Sequence, residues 1–492
     1  MSRGRVLHVL LSLALSDNVT GRGALREFKT QRRGKPFFRY DKGDGTLSTG
    51  ASKQTTWLLK LAAAAKVPAD LCSGSGCDCN ALRGLSIVVA NCTETEVLGV
   101  IESRAEVELA EEDGDIAMPK PVRSVKAGRI PLSRTPELTW NQKRIGLGAA
   151  NTTGRGVRIW VVDTGVSATH EDLKGRVTLV GFADLGVGFG LCSSNTDQRC
   201  FDENGHGTHV AGSAAGTRYG VAPDADILSM KVFTGETAKT AHILEALEHV
   251  LAERRPGDIV NLSLGAFGET PSVGAALAAL TFAGVHVMVA AGNSAADACE
   301  GRYSRYRRIF VVGASNQSDG RAFFTNFGPC LDLFAPGVNI LAADYEDDMG
   351  YVSKSGTSMA APIVAGAAAL YLETNMTAEP EVVYELLDAT AVKGQLKHLY
   401  PGSPNKLLYL GPKPPQNMSV ATGGSTGGST GGGKPPAKKS TTRPPKNISV
   451  ADSDSGAADI GEFDRASASC EVGLIALLAL PLSVWSSADK RA

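Results

Sequence analysis

The central part of the chain alternates near-continuous apolar segments with helical stretches, and this alternation limits the possible folds more than any other feature. Helical patterns occupy 239–255 and 271–283. Five segments are apolar, partly β-branched and short enough to be strands: 157–163, 226–233, 258–265, 285–293 and 309–315. Strands that are apolar on both sides need helices on both faces of their sheet. Residues 137–410 are therefore predicted to form an α/β domain with a mostly parallel central sheet.

Composition and charge exclude several classes of protein. The 492 residues are 43% apolar and 21% charged, which allows a sizeable core and argues against a disordered chain. Fifty basic and 51 acidic residues leave a net charge of −1, so the charge gives no reason to expect nucleic acid as a partner. No apolar run reaches the ~18 residues of a membrane-spanning helix, which excludes a polytopic membrane protein.

Both ends of the chain carry a short apolar run. Residues 6–15 follow two arginines and precede small residues, the layout of a secretory signal peptide over 1–16, with a buried helix as the alternative. The hydrophobic tail 471–492 follows small residues and is similar to a GPI-attachment signal, although its spacer is short and its end is polar. A secreted protein with a disposable tail and a short membrane helix are the alternatives. We expect an extracellular protein, secreted or GPI-anchored at the cell surface.

The cysteines support export. Nine are present, as two groups of four and one in the tail: Cys72, Cys77, Cys79, Cys92, Cys192, Cys200, Cys299, Cys330 and Cys470. Even sets are typical of disulfides in an oxidising compartment. The alternative is a metal site at the early C-x-C motif, but no second cysteine or histidine pair stands near it. The pairing of the first four remains open.

Outside the α/β region the patterns are weaker. Residues 17–80 are polar and irregular, apart from a helix-like stretch at 56–66. A strand at 82–90, a helix at 93–103 and a strand at 105–110 form half of a small α+β domain. The charged, proline-containing segment 111–136 is interpreted as an exposed linker. Beyond residue 411 a nine-residue motif recurs around a Gly/Ser/Thr spacer, which indicates a flexible linker or stalk over 411–470.

Three separated segments carry the acid, the imidazole and the hydroxyl that a nucleophilic serine mechanism requires. Asp163 ends an apolar strand, His206 lies in GHGTHVAG, and Ser358 lies in SGTSMAAP. A serine hydroxyl is a poor nucleophile unless an imidazole takes its proton, and that imidazole needs a carboxylate to orient it. An acid at the carboxyl end of a parallel strand lies where open α/β sheets place their sites. We therefore predict that the three residues converge.

The order Asp, His, Ser along the chain is that of subtilisin, whereas chymotrypsin begins with His and the α/β-hydrolases with Ser. The segment 137–410 resembles the subtilases, and within them the proteinase K branch that includes the aqualysin type. The resemblance rests on four matches: DTG at 163–165, GHGTHVAG at 205–212, GTSMAAP at 356–362 and the stretch 290–337. It implies a subtilisin-like three-layer fold and a serine endopeptidase.

The resemblance also implies a role for each site residue. Ser358 would be the nucleophile, His206 the general base and then acid, and Asp163 the residue that orients His206. Asn293 would supply the oxyanion-hole amide, with the backbone N–H of Ser358 as the second donor. Ser263, Leu264 and Gly265 on one side, and Ala290, Ala291 and Gly292 on the other, would flank the primary specificity pocket. Both walls are small and uncharged, so apolar or aromatic P1 residues are expected.

Further expectations concern disulfides and metal. Cys299–Cys330 matches a disulfide of the aqualysin type, and Cys192–Cys200 is expected to pair locally. Asp332 matches a calcium-binding aspartate of proteinase K, whose other ligands are backbone carbonyls at the positions of Arg307 and Ile309. Nearby arginines favour a plain salt bridge as the alternative. Catalysis itself requires no cofactor.

The segment 81–118 resembles the second half of an inhibitor-type subtilase propeptide. The predicted organisation is therefore a signal peptide (1–16), a propeptide (17–125), a catalytic domain (137–410), a linker (411–470) and a tail (471–492). The partners would be protein or peptide substrates and the chain's own propeptide, removed by self-cleavage within 119–137. The alternative is a non-catalytic surface binding protein or adhesin on a subtilase fold.

Overall fold

The computed structural model describes residues 25–29, 35–40, 53–62, 66–118, 121–129, 137–184, 188–264, 270–299 and 308–412. The predicted signal peptide, the repeat and tail beyond residue 412, Gly265 and Arg307 lie outside the described residues. Within the described part, no helix is both long and apolar enough to cross a bilayer.

The N-terminal region forms a sheet with strand order β1-β2-β6-β3-β5-β4 and one helix. Its elements are β1 (Leu25–Lys29), β2 (Pro36–Tyr40), β3 (Thr55–Leu61), β4 (Asp78–Leu82), β5 (Ile87–Cys92), α1 (Glu94–Ser103) and β6 (Val107–Glu112). Thr93 caps α1, since its hydroxyl accepts the N–H of Glu96 while the Glu96 carboxylate accepts the N–H of Thr93. Two further strands follow, β7 (Asp115–Ala117) and β8 (Arg123–Arg129).

Two predictions for this region were wrong. The stretch 56–66, which was predicted to be helix-like, contains strand β3. Trp57, Leu59 and Leu61 belong to one core and Leu58 to another, so both faces of this strand are buried. A strand that is buried on both sides loses its period of two and cannot be told from a buried helix by pattern. The single strand expected at 82–90 is a hairpin instead: β4 ends at Leu82, and β5 begins at Ile87 and pairs antiparallel with it.

The α/β region contains the predicted central sheet, which confirms the fold class. Its strand order is β11-β10-β12-β9-β14-β15-β16-β17-β21-β20, and the pairs from β10 to β21 are parallel. The strands of this region are β9 (Arg158–Asp163), β10 (Val177–Asp184), β11 (Gly188–Leu191), β12 (Asp226–Lys231), β13 (Thr237–Lys239), β14 (Ile259–Leu262), β15 (His286–Ala290), β16 (Phe310–Ser315), β17 (Leu333–Pro336), β18 (Ile340–Ala343), β19 (Gly350–Ser355), β20 (Val392–Lys393) and β21 (Lys406–Leu407).

Helices cover both faces of this sheet. They are α2 (Trp140–Arg144), α3 (His206–Ala215), α4 (Thr240–Glu253), α5 (Pro271–Phe282), α6 (Thr357–Leu372) and α7 (Pro380–Thr390). Side chains of β9 alternate between the layers: Ile159 and Val161 join the core with α3 and α6, whereas Trp160 and Val162 join the core with α4 and α5. This alternation makes β9 a central strand of a three-layer fold.

The linker predicted over 111–136 is not free where the structure describes it, at 111–118 and 121–129, and there the prediction was wrong. Strand β7 pairs antiparallel with β13, and β8 pairs antiparallel with β19, so both strands are bound to the α/β region. The sequence here has few apolar residues and no alternation of apolar and polar positions, so it did not indicate strands. The strands form because their backbones hydrogen-bond to distant partners. The exposed side chains of β8 account for its polar sequence.

The N-terminal sheet packs on the α4–α5 layer. Leu82, Leu85 and Ile87 belong to the same core as Leu247 and Leu251 of α4. Four disulfides are present among the described residues: Cys72–Cys79, Cys77–Cys92, Cys192–Cys200 and Cys299–Cys330. The structure therefore pairs the two predicted bridges as expected and supplies the connectivity that the sequence left open.

Candidate active site

The fold places Asp163, His206 and Ser358 at element ends that meet at one edge of the sheet. Asp163 is the last residue of β9, His206 is the first of α3, and Ser358 is the second of α6. All three are at most 2% exposed. Because α3 and α6 lie on the same face of the sheet, their N-termini lie beside the carboxyl end of β9.

Asp163 and His206 form a direct pair. Nδ1 of His206 lies 2.8 Å and 3.0 Å from the two carboxylate oxygens of Asp163. The same carboxylate accepts the backbone N–H of Thr164 at 2.7 Å, which fixes its plane. This pair orients the imidazole so that Nε2 is its remaining ring nitrogen. Within the part of the chain that the structure describes, Nε2 is buried and has no hydrogen-bond partner.

Ser358 does not donate to His206 in this structure. Its hydroxyl donates to the carbonyl of Ser263 at 3.1 Å, and the Ser263 hydroxyl donates to the carbonyl of Ser358 at 2.9 Å. Asn261 donates to the Ser263 hydroxyl in turn. These bonds hold the first turn of α6 against the end of β14, and they leave the Ser358 hydroxyl free to exchange one acceptor for another.

Asn293 lies with its amide nitrogen beside the start of α6. Its Oδ1 accepts both the backbone N–H and the hydroxyl of Thr357, each at 2.8 Å, so its Nδ2 is turned the other way. A Cβ placed on Gly356 would lie 3.3 Å from Asn293 Nδ2 and 3.7 Å from the Ser358 nitrogen. Two N–H donors therefore border one space next to the Ser358 hydroxyl, and a glycine keeps that space open.

The segments predicted to flank the specificity pocket follow neighbouring strands. Ser263 and Leu264 come directly after β14, and Ala291 and Gly292 come after Ala290, the last residue of β15. Strands β14 and β15 are paired in parallel, so the two segments leave the same sheet edge side by side. The described residues of both segments are buried and uncharged.

Two charged residues near His206 were not identified from the sequence. Asp202 is nine-tenths buried and accepts hydrogen bonds from Thr164, Gly205 and Thr208, which link the end of β9 to the start of α3. Lys354 is buried on the other side, and its ammonium group donates to the carbonyl of Gly205 at 2.6 Å. Asp202 lies four residues before His206, and Lys354 lies four residues before Ser358. These positions in the sequence do not indicate that the two residues hold the loop before His206; only their contacts do.

Gly205 is required where it stands, between these two charges. Its φ is +83°, in the left-handed region that favours glycine, and it is the N-cap of α3. A Cβ at this position would lie 2.2 Å from the ring of Tyr345. The loop before His206 is thus fixed by backbone conformation as well as by charge.

Asp332 is half-buried and precedes β17. One of its carboxylate oxygens accepts the backbone N–H of Val311 at 2.6 Å, and burial raises its pKa to about 6 while the charge of Lys406 opposes the rise. A carboxylate oxygen suits a hard cation as a ligand. Among the described residues no group of three acidic, histidine or cysteine side chains surrounds a common point.

Two backbone hydrogen bonds hold the end of the N-terminal region on the α/β region. The backbone N–H of Met118 donates to the carbonyl of Glu236 at 2.8 Å, just beyond β7. The backbone N–H of Val122 donates to the carbonyl of Ser355 at 2.9 Å, three residues before Ser358. Met118 and Val122 are therefore both held on the α/β region, and the partner of Val122 lies three residues before the candidate nucleophile.

Comparisons with known proteins agree with this geometry. Among curated relatives, the alkaline serine exoprotease A of Vibrio alginolyticus is 39% identical over 263 residues, which cover 53% of this chain and 46% of the relative. The extracellular serine proteinase of Thermus sp. is 38% identical over 281 residues, covering 55% and 66%. Cerevisin of Saccharomyces cerevisiae is 35% identical, covering 58% and 46%. The chain thus spans about half to two thirds of the length of these relatives.

A solved structure and a family profile match the same region. The crystal structure of a cold adapted subtilisin-like serine proteinase is 37% identical with a TM-score of 0.50, covering 55% of this chain and 98% of that one. The profile of the subtilase family (Peptidase_S8) matches residues 154–411, just over half of the chain, and this range contains Asp163, His206, Asn293 and Ser358. The chain therefore belongs to the subtilase family.

Proposed function

We propose that this protein is a secreted or surface-anchored serine endopeptidase that hydrolyses peptide bonds through Asp163, His206 and Ser358. The observation that carries the proposal is the buried Asp163–His206 pair, whose Nε2 has no other partner among the described residues. A pair held in this way serves a reaction that moves a proton at Nε2. The relatives' names, which describe proteases, support the same reaction class.

In the proposed mechanism the Ser358 hydroxyl turns from the carbonyl of Ser263 to Nε2 of His206 when a peptide binds. His206 takes the hydroxyl proton as the oxygen attacks the peptide carbonyl, and Asp163 stabilises the imidazolium that forms. The imidazolium then gives its proton to the leaving amine, and the peptide's amino-terminal half remains as an ester of Ser358. Water attacks this ester by the same route and restores the enzyme.

The negative charge on the tetrahedral oxygen would be stabilised by Asn293. Its Nδ2 and the Ser358 N–H border the space beside Gly356, and the two bonds from Thr357 fix the amide in advance. Donors that need no reorganisation at the moment of reaction contribute strongly to catalysis; removing one such donor lowers kcat by about 10²–10³-fold.

The substrates are proposed to be extended peptides with apolar or aromatic P1 residues. The walls formed by Ser263, Leu264 and Gly265 and by Ala290, Ala291 and Gly292 carry no charge to bind a basic P1 side chain. Edges of this kind recognise a peptide mainly through its backbone, as an added strand, which favours broad specificity.

The protein is proposed to be made as a zymogen whose N-terminal region is its own inhibitor. The backbone contacts of Met118 and Val122 hold the chain on the α/β region at both ends of a short interval, and Ser355, the partner of Val122, lies three residues before Ser358. We therefore expect the bond hydrolysed in maturation to lie within this interval. This is the early end of the range 119–137 that the sequence suggested. Membrane anchoring through the C-terminal tail remains a prediction.

No cofactor is proposed for catalysis, since the side chains present supply both proton transfer and charge stabilisation. A structural calcium ion at Asp332 remains a prediction, with the carbonyl groups of Arg307 and Ile309 as further ligands. Such an ion would stabilise the fold and take no part in the reaction.

The first experiment compares wild type with Ser358→Ala by intact mass and by hydrolysis of a peptide with Phe at P1. Wild type is expected to lose the residues before about 119–122 and to cleave the peptide, while Ser358→Ala does neither. Ser318→Ala, an exposed serine in a turn, serves as the matched control and should behave as wild type. A folded wild-type protein that stays full-length and inert would contradict the proposal.

A further inference from the structure

The turn between β18 and β19 carries four acidic residues within five positions: Asp344, Glu346, Asp347 and Asp348. We call residues 344–348 the acidic turn. It adjoins the active site, because the ring of Tyr345 packs against Gly205, the residue before His206. Backbone hydrogen bonds between Asp344 and Gly350 and between Asp347 and Gly350 close the turn, so its carboxylates are held in place.

Strand β8 lies on this surface as a basic peptide. Its seven residues, RSVKAGR, contain three bases and no acid. The Lys126 ammonium pairs with Glu346 and lies 3.9 Å from Asp344, and Arg129 Nε lies 2.7 Å from Asp347. The bases of β8 thus neutralise part of the acidic turn.

An irregularity in β8 makes this pairing possible. Residues 126 and 129 are three positions apart and would point to opposite sides of a regular strand. The register with β19 shifts between Tyr351 and Val352, and Gly128 adopts a φ of +71°. The extra residue turns the strand, as a bulge does, and brings both basic side chains to the acidic turn.

Strand β8 is bound at the surface and is not part of the core. All seven of its residues are exposed. Backbone hydrogen bonds to β19 and the two exposed ion pairs therefore hold it, and neither buries much apolar surface. An extended peptide can replace such a strand by adding to the same sheet edge.

The same edge leads directly to the nucleophile. Arg123 is paired with Ser355, and the backbone N–H of Val122 donates to the Ser355 carbonyl. From there β8 runs away from Ser358 along β19, on the carboxyl side of the interval in which we expect maturation. A substrate that continues past the bond to be cleaved would follow the path of β8 and meet the acidic turn.

We propose that the edge of β19 and the acidic turn form a binding surface for substrate residues on the carboxyl side of the cleaved bond, one that selects basic side chains. The basic positions lie four and seven residues after the one that donates to the carbonyl of Ser355, at the spacing of Lys126 and Arg129 from Val122. The inference rests on the proposed peptidase function and adds a preference that the apolar P1 pocket does not provide.

The test compares kcat/KM for two internally quenched peptides that share residues around a Phe P1 bond. In the first peptide the sequence VRSVKAGR begins one, two or three residues after the bond. In the second peptide VASVAAGA begins at the same position. At 50 mM salt the mature enzyme is expected to prefer the basic peptide by about three- to tenfold at one spacing, as suits two exposed ion pairs. The preference should fall toward one at 0.5 M salt. Competition from the enzyme's own β8 lowers both values equally, so the ratio reports the surface.

Variants of the turn assign the effect. Glu346→Gln with Asp347→Asn should abolish the preference, and Glu346→Lys with Asp347→Lys should reverse it. Asp348→Asn is the matched control, because the Asp348 carboxylate accepts hydrogen bonds from Ser167 and Thr169 rather than a base. A ratio of one in wild type at every spacing, or a preference that survives Glu346→Gln/Asp347→Asn, would overturn the inference. Failure to cleave even a peptide without an extension would instead overturn the proposed function itself.

Discussion

Two buried charges of opposite sign hold the loop that carries His206. Asp202 accepts hydrogen bonds from residues on both sides of the histidine, and Lys354 donates to the carbonyl of Gly205. Burial lowers the pKa of the Lys354 ammonium, while the carboxylates of Asp202 and Asp163 raise it. The cation is therefore kept next to the Asp163–His206 pair at the cost of its own hydration, which indicates that it positions the histidine.

Lys354 can be tested by separating its charge from its hydrogen bond. Lys354→Met removes both, whereas Lys354→Gln keeps a donor but removes the charge. The Gly205 carbonyl loses its donor in Lys354→Met, so kcat/KM for the Phe P1 peptide should fall by about tenfold in this variant and much less in Lys354→Gln. Only Lys354→Met should also lower the maximal rate. Equal losses in the two variants would show that the hydrogen bond from Lys354 to Gly205 is not what positions the histidine.

At the level of elements, the N-terminal region caps helices that belong to the α/β region. Glu111, at the end of β6, accepts the backbone N–H and hydroxyl of Ser272 in the first turn of α5. Asp113, just beyond, accepts the N–H of Ala241 in the first turn of α4 at 2.9 Å. Helix N-termini have unpaired N–H groups and a positive dipole end, so acids stabilise them. The two regions therefore stabilise each other through these caps.

One of these caps should make the stability of the zymogen depend on pH. Burial raises the pKa of Asp113 from 3.8 to about 7, while the Ala241 N–H and Lys239 oppose the rise. The folded protein then binds this proton more tightly than the unfolded chain. Its contribution to stability is full below pH 3.8 and is lost as the pH rises through about 7.

The measurement is thermal unfolding of full-length Ser358→Ala with and without Asp113→Asn. Asparagine keeps the acceptor for Ala241 but carries no charge. We expect similar Tm values below pH 3.8 and a higher Tm for the Asp113→Asn protein at pH 8, with a difference that grows between pH 3.8 and about 7 by no more than about 1.4 kcal/mol per pH unit. The opposite sign at pH 8 would show that the charged cap is worth more than its burial costs.

For the whole molecule, thermal unfolding decides whether Asp332 binds calcium or carries no ion. If calcium binds there, chelation should lower the Tm of the Ser358→Ala protein by about 5 °C at saturating metal, and Asp332→Asn should abolish this response. If no ion binds, chelation should have no effect. Asp332→Asn should then raise the Tm above pH 6, because burial already raises the pKa of this carboxyl to about 6. In the presence of calcium, Asp332→Asn should therefore lower the Tm if an ion binds at this residue and raise the Tm if none binds.

Much of the fold and of the candidate site could be predicted from the sequence, because the signals are local. The strand that ends at Asp163, the glycine-flanked segment around His206 and the start of α6 at Ser358 are each visible within about ten residues. Parallel strands place their carboxyl ends at one edge whatever the loops between them do. The α/β pattern therefore places Asp163, and the motifs around His206 and Ser358 indicate that these two residues join it.

Other features were decided only in three dimensions, because they depend on partners far away in the sequence. Strand β3 was mistaken for a helix, since burial on both faces hid its period of two. Strand β8 has no apolar pattern and exists only because β19, more than two hundred residues later, offers an edge and an acidic turn. Lys354 becomes a partner of His206 only when a buried ammonium finds the Gly205 carbonyl. The sequence by itself determined the chemistry and the central sheet, and tertiary structure determined what holds the histidine and what lies along the site, because hydrogen bonds and ion pairs between distant segments leave no local pattern.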